Sequence, residues 1–336
     1  MTRGNEVLAV LCARVESERF PGKVLQDLGG RTVLGGIVER LRQSRSVGRI
    51  VVATTERPAD DAIVREAAFC EVPVIRGSVD NVVERMQQAV YQHGGGMKYV
   101  LRALGDQPFL DWESVDEATR IIDANDWDFL LPLTFDADPV YGAGLSPWSV
   151  RVWSAIASRS TKPDELEHPG VWLRRSLEMF NYALIDLPHW AYRGYRLELD
   201  TLEDLNLFRL VHAAWEQPDP PPLRWVVSYL DKNRSLAGIN AAIHERTGTF
   251  TTHTAAEVQH WWQDYANRTV VFSDLPSMLA STGAPASHGG TARCRACDGA
   301  LIVQRVRPTG VLQLRCARCG KRTTYHADHP TGPNSS

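Results

Sequence analysis

A chain of 336 residues is longer than one average domain and has room for a sizeable core. Its 43% hydrophobic and 23% charged residues are ordinary for a globular protein, and a net charge of −3 argues against a surface that coats nucleic acid. No apolar run approaches the ~18 residues of a membrane-spanning helix, and the N-terminus lacks the order of a signal peptide, so a cytoplasmic protein is expected.

The first apolar run, residues 7–12, predicts a buried parallel strand. The loop after it carries Arg14, Arg19 and Lys23, with a Pro21-Gly22 turn directly before the lysine. The carboxyl end of a strand is where an open α/β sheet binds its ligand. A solvated basic loop is the alternative, but Pro21 restricts φ and Gly22 relaxes it, so the backbone aims Lys23, as suits a polyphosphate.

Further strands are expected at 50–54, 72–75, 99–103 and 129–131, alternating with helical periods at 33–42, 60–69, 82–92 and 115–124. Pro58 or Asp60 opens the second helix, and Gly94-Gly95-Gly96 closes the third. This alternation predicts an α/β fold: a mostly parallel sheet with helices on both faces. Neither Gly-x-Gly-x-x-Gly nor a P-loop follows the first strand, which removes the usual dinucleotide and P-loop readings. Cys12 and Cys70 stand in apolar surroundings and read as buried thiols.

Residues 134–188 are punctuated by Pro139, Gly142, Gly144, Pro147, Pro163, Pro169 and Gly170, and are expected to be an irregular lid or substrate region. A short strand at 196–199 then leads into a helix, with Asp200 as a candidate N-cap. Helices are expected at 223–230 and 236–246. Another starts at Thr254, whose capping box with Glu257 precedes Trp261, Trp262 and Tyr265, read as packing aromatics. The domain boundaries follow: 1–247 for the α/β domain, 248–273 for a helical extension, 274–292 for a linker rich in Ser, Ala, Gly and Pro, 293–327 for a small tail domain, and 328–336 for a disordered end.

The tail contains Cys294-x-x-Cys297 and Cys316-x-x-Cys319, 18 residues apart, with a short hairpin expected over 301–306 and 311–314. That spacing reads as a structural zinc ribbon of four thiolates, in preference to two disulfides in a cytoplasmic protein. Its surface is basic, with Arg293, Arg295, Arg305, Arg307, Arg315, Arg318, Lys321 and Arg322 against Asp298. Such a patch suits phosphates of nucleic acid, an acidic protein surface, or neutralisation of the thiolates.

Two carboxylates join the cationic loop. Asp106 follows the 99–103 strand and Asp200 follows the 196–199 segment, so both lie at the same edge of the sheet. Taken singly they read as a turn former and a cap; taken together they suit a hard divalent cation.

The order Ala-Arg-x-x-Ser-x-Arg-x-Pro-Gly-Lys at 13–23, Val-Val-Ala-Thr-Thr at 51–55, Arg-Gly-Ser at 76–78 leading to Asp80 and Arg85, Gly-Asp-x-Pro at 105–108 and Leu-Asp-Thr-x-Glu-Asp-Leu at 199–205 resembles the cytidylyltransferases, which activate acidic sugars with CTP. It is similar to their spore-coat polysaccharide branch, related to the acylneuraminate and 3-deoxy-manno-octulosonate enzymes, and spans residues 5–245. The resemblance implies a Rossmann-like, GT-A-like nucleotide-diphospho-sugar transferase fold and an Mg2+-dependent transfer of CMP with release of pyrophosphate, in surface polysaccharide or glycoconjugate biosynthesis. It implies that Ala13, Arg14, Ser17, Arg19 and Lys23 cradle the triphosphate, while Ala53, Thr54, Ser78, Asp80 and Arg85 surround the nucleoside. Asp106 and Asp200 would hold Mg2+, and Glu167 and His168 would face an acidic sugar-like acceptor. A homodimer is left open.

Two stretches depart from the family pattern. Gly144-Leu145-Ser146-Pro147-Trp148 stands where a Gly-Leu-Asp-Val-Glu-like segment is usual, and Asn81 stands where an Asp normally follows Asp80. The competing reading is a non-catalytic nucleotidyltransferase-like module whose basic ribbon docks on nucleic acid or a protein. The intact set Arg14, Arg19, Lys23, Asp106 and Asp200 favours the enzyme.

Overall fold

Six consecutive buried residues make Val7–Cys12 (β1) the central strand of a five-stranded sheet in the computed structural model, which describes residues 5–132, 146–186, 189–191, 193–243, 270–272, 301–307, 311–316 and 322–326. The chain divides into two units: 1–129, 140–181 and 195–247 form the first, and 130–139, 182–194 and 248–336 the second.

The strands in chain order are β2 (Val47–Thr55), β3 (Val74–Gly77), β4 (Tyr99–Leu104), β5 (Phe129–Pro132) and β6 (Trp148–Ser149). In the first unit the sheet order is β3-β2-β1-β4-β6, parallel throughout except that β6 runs antiparallel to β4. Cys12 lies in register with Ala53 on one side and Leu104 on the other. The strand order therefore reverses at β1, and the carboxyl ends of β1 and β4 are where an open α/β sheet of this order binds its ligand. Trp148, one of the departures from the family pattern, belongs to β6 and stacks on Trp153 with ring centroids 6.4 Å apart.

Helices α1 (Val33–Gln43), α2 (Asp61–Phe69), α3 (Val82–His93) and α4 (Trp112–Asn125) alternate with these strands as the periodicity predicts. α1 buries Val33, Leu34, Ile37, Val38 and Leu41, an apolar stripe at three- and four-residue spacing. Its Thr32 cap accepts a hydrogen bond from Gly35 N at 2.9 Å, and Asn81 caps α3 by accepting from Glu84 N at 2.9 Å. That cap gives Asn81 a local structural role. Gly94 closes α3.

The middle of the chain is more regular than its prolines suggest. Its described part folds as α5 (Val150–Arg159), α6 (Pro163–Glu167), α7 (Pro169–Arg174) and β7 (Tyr182–Asp186). Pro163 and Pro169 stand at the first position of their helices, where no N–H is needed, so they start helices instead of breaking them. Residues 133–145, including Gly144 and Leu145, lie outside the described residues.

The strand expected at 196–199 is also absent. Arg196 forms one isolated bridge, and Leu199 N donates to Asp106 O at 2.8 Å. The next two amides, of Asp200 and Thr201, turn to the Asp204 carboxylate, which takes them out of any ladder. The chain continues as α8 (Leu202–Ala213), α9 (Leu223–Lys232) and α10 (Arg234–Ala237). Thr201 caps α8 through a capping box with Asp204, so Asp200 is left free of that duty. The helix expected at 236–246 is divided: α10 starts earlier and ends at the Gly238 cap, residues 241–243 are helical again, and 244–246 lie outside the described residues.

In the second unit β7 pairs in parallel with β8 (Val270–Phe272). Separately, β9 (Leu301–Arg307), β10 (Val311–Cys316) and β11 (Arg322–His326) form an antiparallel sheet, with the expected hairpin as its first two strands. Cys294, Cys297 and Cys319 lie outside the described residues, as does the side chain of Cys316, and so do the capped helix at Thr254 and the 274–292 linker. No helix of the described residues is long and apolar enough to cross a membrane.

His212 on α8 stacks on Phe109, with ring centroids 5.4 Å apart, and its Nε2 is buried without a hydrogen-bond partner. Burial, then the nearby Arg40 charge, pushes its pKa down to about 4. Between pH 6.5 and 4 the unfolded chain therefore binds a proton that the folded chain refuses. Stability falls as pH falls through that window, by about 3 kcal/mol at its acid end, and is unaffected above it. His212→Phe is expected to flatten the decline in Tm between pH 7 and pH 5 measured by calorimetry. An unchanged slope would remove His212 as its cause.

Candidate active site

The loop after β1 is shaped by its own sequence. Pro21 leads into Gly22 at φ +72°, a left-handed position with no room-filling role for a side chain, and Gly22 N donates to Val15 O at 2.8 Å. Lys23 then opens a one-turn 3-10 helix with its side chain directed inward, only 8% of the residue exposed. A second tether comes from Asp60, buried at the end of the 3-10 turn before α2. Its carboxylate accepts from Val15 N at 2.7 Å and from the Thr55 hydroxyl. Asp60 is thus a clamp on the cationic loop and makes no side-chain cap to α2.

The loop after β4 approaches closely. Gly105 N donates to Cys12 O at 2.9 Å, and a Cβ on Gly105 would lie 3.0 Å from Ala13 Cβ and 3.1 Å from Val24 Cγ1. A side chain at Gly105 would press on both neighbours, so glycine eases the approach of the two loops, and the contact sets Asp106 beside Lys23. The bond from Leu199 N to Asp106 O brings in Asp200.

Lys23 Nζ lies 2.9 Å from Asp106 Oδ2 and 2.9 Å from Asp200 Oδ1, while Arg19 Nη2 lies 3.0 Å from Asp200 Oδ2. Burial favours a lower Lys23 pKa, but Asp106 and Asp200 outweigh it and raise the ammonium above its usual range. Burial likewise works to raise Asp200, yet Lys23, Arg19 and Arg196 together hold it below the ordinary carboxylate range. Arg196, 3% exposed, pairs with Asp200 and with Asp204, whose Oδ1 is 3.4 Å from its Nε. Glu198 joins the same side of the segment. Burial, followed by Asp106 and Asp200, pushes its carboxyl up to about 7.

This donor set suits a hard divalent cation. It consists of carboxylate oxygens, a cation already bridges them, and Asp106 Oδ1 is buried with no hydrogen-bond partner. Among the described residues no three His, Cys, Asp or Glu side chains form a complete metal cage. Mg2+ is commonly held by one or two carboxylates, with phosphates and water completing the shell.

A second cluster lies beside the first. Arg14 Nη2 is 3.5 Å from Glu167 Oε1, and Arg102 Nη2 donates to Glu167 O at 3.4 Å. His168, which follows, is half-buried. Burial, then the charges of Arg102 and Arg14 against that of Glu167, lowers its pKa and keeps the imidazole neutral. The other expected residues are placed differently. Ala53 and Thr54 are fully buried in β2, with Thr54 Oγ1 unpartnered; Ala13 is buried and donates its N–H to Ala53 O at 3.1 Å. Ser17 Oγ accepts from Phe20 N within the loop, at 3.4 Å. Arg85 donates to the carbonyls of Ser78 and Val79, and Asp80 is exposed.

Arg196, Glu198, Asp204, Asp60 and Arg102 escape the sequence reading. For the first two a signal exists: Arg196, Glu198 and Asp200 alternate with Leu197 and Leu199, both fully buried, so three charges share one face of a buried extended segment.

Known proteins share this chain's sequence pattern and architecture. The family described as Cytidylyltransferase matches residues 8–148. The spore coat polysaccharide biosynthesis protein SpsF of Bacillus subtilis is 28% identical over 244 residues, covering 69% of this chain and 97% of that protein. The 3-deoxy-manno-octulosonate cytidylyltransferase of Porphyromonas gingivalis is 32% identical over 181 residues, 51% of this chain and 68% of the relative. Among solved structures, a cytidylyltransferase from Leptospira borgpetersenii superposes with a TM-score of 0.62 at 26% identity, covering 69% of this chain and 96% of the other. At 32% identity to the Porphyromonas gingivalis enzyme over 68% of that relative's length, the chain belongs to the cytidylyltransferase family of nucleotidyltransferase enzymes.

Proposed function

We propose that this enzyme transfers the cytidylyl group of CTP to a hydroxyl of an acidic sugar-like acceptor, in surface polysaccharide or glycoconjugate biosynthesis. The observation that carries the reading is Lys23 bridging Asp106 and Asp200 beside Arg19. A new bond forms between the acceptor oxygen and the α-phosphorus as the hydroxyl proton passes to water, and the bond from that phosphorus to the oxygen bridging to the β-phosphorus breaks, so that pyrophosphate leaves. Such transfer needs positioning and charge neutralisation more than covalent help. Arg19 and Lys23 receive the charge of the departing pyrophosphate, and Arg14 lines the way to the acceptor with Glu167 and His168. A Mg2+ held by Asp106 and Asp200 would neutralise phosphate charge and orient the nucleotide. The relatives' names, a spore-coat polysaccharide protein and a 3-deoxy-manno-octulosonate enzyme, support an acid sugar as acceptor class.

The test is pyrophosphate release on mixing the full-length protein with Mg2+, each of the four nucleoside triphosphates and a panel of sugar acids. Release with CTP and an acid sugar, with a CMP conjugate found by mass spectrometry, is expected. Absence of release with every acceptor, together with absence of CTP binding, would overturn the reading.

A further inference from the structure

Arg102 is a cation whose charge is unanswered. It lies on β4 in register with Val10 of β1, and its guanidinium sits beside the buried Cys12 thiol. The Nε is buried with no hydrogen-bond partner, and the single bond from Nη2, to the Glu167 carbonyl, is long at 3.4 Å. Among the described residues no carboxylate pairs with it. Its neighbours differ: Lys23 and Arg19 are paired with Asp106 and Asp200, and Arg14 meets Glu167. Arg85, 3% exposed and also near Cys12, spends its Nη1 on the Ser78 and Val79 carbonyls and also has an unpartnered Nε. Arg14, Arg85 and Arg102 therefore lie within one another's electrostatic reach, with the Glu167 carboxylate spent on Arg14 and Asp60 acting on Arg85, and the pKa of the adjacent His168 is lowered.

A half-buried guanidinium held without a counter-charge is costly, so a fold that keeps one beside its reaction crevice keeps it for an anion that arrives. The triphosphate already has Arg19 and Lys23. The second cluster has a different character, because Glu167 and neutral His168 suit hydroxyl groups while Arg102 supplies a planar fork for a carboxylate. A hydroxylated carboxylic acid complements all three.

We propose that Arg102 recognises the carboxylate of the acceptor and is a specificity-determining residue of this enzyme. The proposal rests on the function stated above and assigns the acid of the acid sugar to one side chain.

The experiment crosses two proteins with two acceptors. Full-length wild type and Arg102→Gln are assayed for pyrophosphate release with 3-deoxy-manno-octulosonate, or with whichever acid of the panel the wild type turns over, and with the methyl ester of the same acid. The wild type should prefer the acid over the neutral ester by roughly 10²-fold or more in kcat/KM, since a site built for a polar group rejects the analogue lacking it. Arg102→Gln should cut that preference at least about tenfold through the KM of the acid, leave the ester's kcat/KM and the KM of CTP within about twofold, and Arg102→Lys should restore part of the preference. Equal losses on acid and ester would make Arg102 structural, and a loss on CTP would make it a phosphate ligand; either overturns the proposal while the cytidylyl transfer stands. No turnover of any acid by the wild type would overturn both.

Discussion

Lys23→Met is expected to lower cytidylyl transfer by roughly 10²–10³-fold, the range found when one preorganised charge-stabilising donor is removed from an active site. The same change should destabilise the protein, because Lys23 Nζ is the common partner of Asp106 and Asp200, at 2.9 Å from each. Asp200 is only 5% exposed at its side chain. Removing one partner of a buried ion pair costs about 3–5 kcal/mol, and the lower end applies here because Arg19 and Arg196 remain on Asp200. Without the ammonium, two carboxylates face each other, so added Mg2+ should raise the Tm of Lys23→Met more than that of the wild type. Calorimetry with and without Mg2+ and a pyrophosphate assay check both halves. A variant that keeps activity within about tenfold would show that Lys23 is not part of the phosphate clamp.

The second large effect is expected at Asp204, which has no exposed surface. Its Oδ2 accepts the N–H groups of Asp200 and Thr201 at 2.9 Å each, its Oδ1 accepts from Asn240 Nδ2 at 2.8 Å, and Arg196 lies alongside. Asp204→Ala orphans the buried Asp200 amide and the half-buried Thr201 amide and leaves Arg196 to Asp200 and Glu198, so a loss of about 3–5 kcal/mol follows. Asp204→Asn keeps one accepting oxygen and should lose roughly half as much. Urea unfolding gives the comparison. Because Asp204 fixes the backbone on which Asp200 stands, Asp204→Asn should also weaken CTP binding in a protein that remains folded. An Asp204→Ala variant as stable as wild type would mean that the Asp200 amide is satisfied elsewhere.

These two residues differ in how readable they are. Lys23 stands in a local pattern, a strand followed by Pro21-Gly22-Lys23, and the left-handed Gly22 bears out the turn. Asp204 is hidden in a helix start where Asp200, Thr201 and Asp204 all qualify as caps. Local propensity ranks such residues nearly alike, and the choice of Thr201 depends on Asp200 being drawn away by Lys23, Arg19 and Arg196. The prolines of the middle region mislead for a related reason. Pro163 and Pro169 are equally compatible with a turn and with the first residue of a helix, and apolar residues such as Trp172 and Leu173, buried by packing, decide for the helix. Arg102 reads as one more charged residue in a strand, and its lack of a partner has no expression in sequence.

By itself the sequence determined the alternation of strands and helices over residues 7–131, the apolar identity of β1, the Pro21-Gly22 turn of the cationic loop and the collinear motifs of the family, because periodicity, caps and restricted φ act over a few residues. Tertiary structure decided which charges meet. Lys23 is 83 residues from Asp106 and 177 from Asp200, and the three converge only because the sheet order reverses at β1 and lays the β4 loop against the β1 loop through Gly105. Charge pairs of that separation depend on sheet order and on the burial that strengthens them, and neither property belongs to any single stretch of the chain.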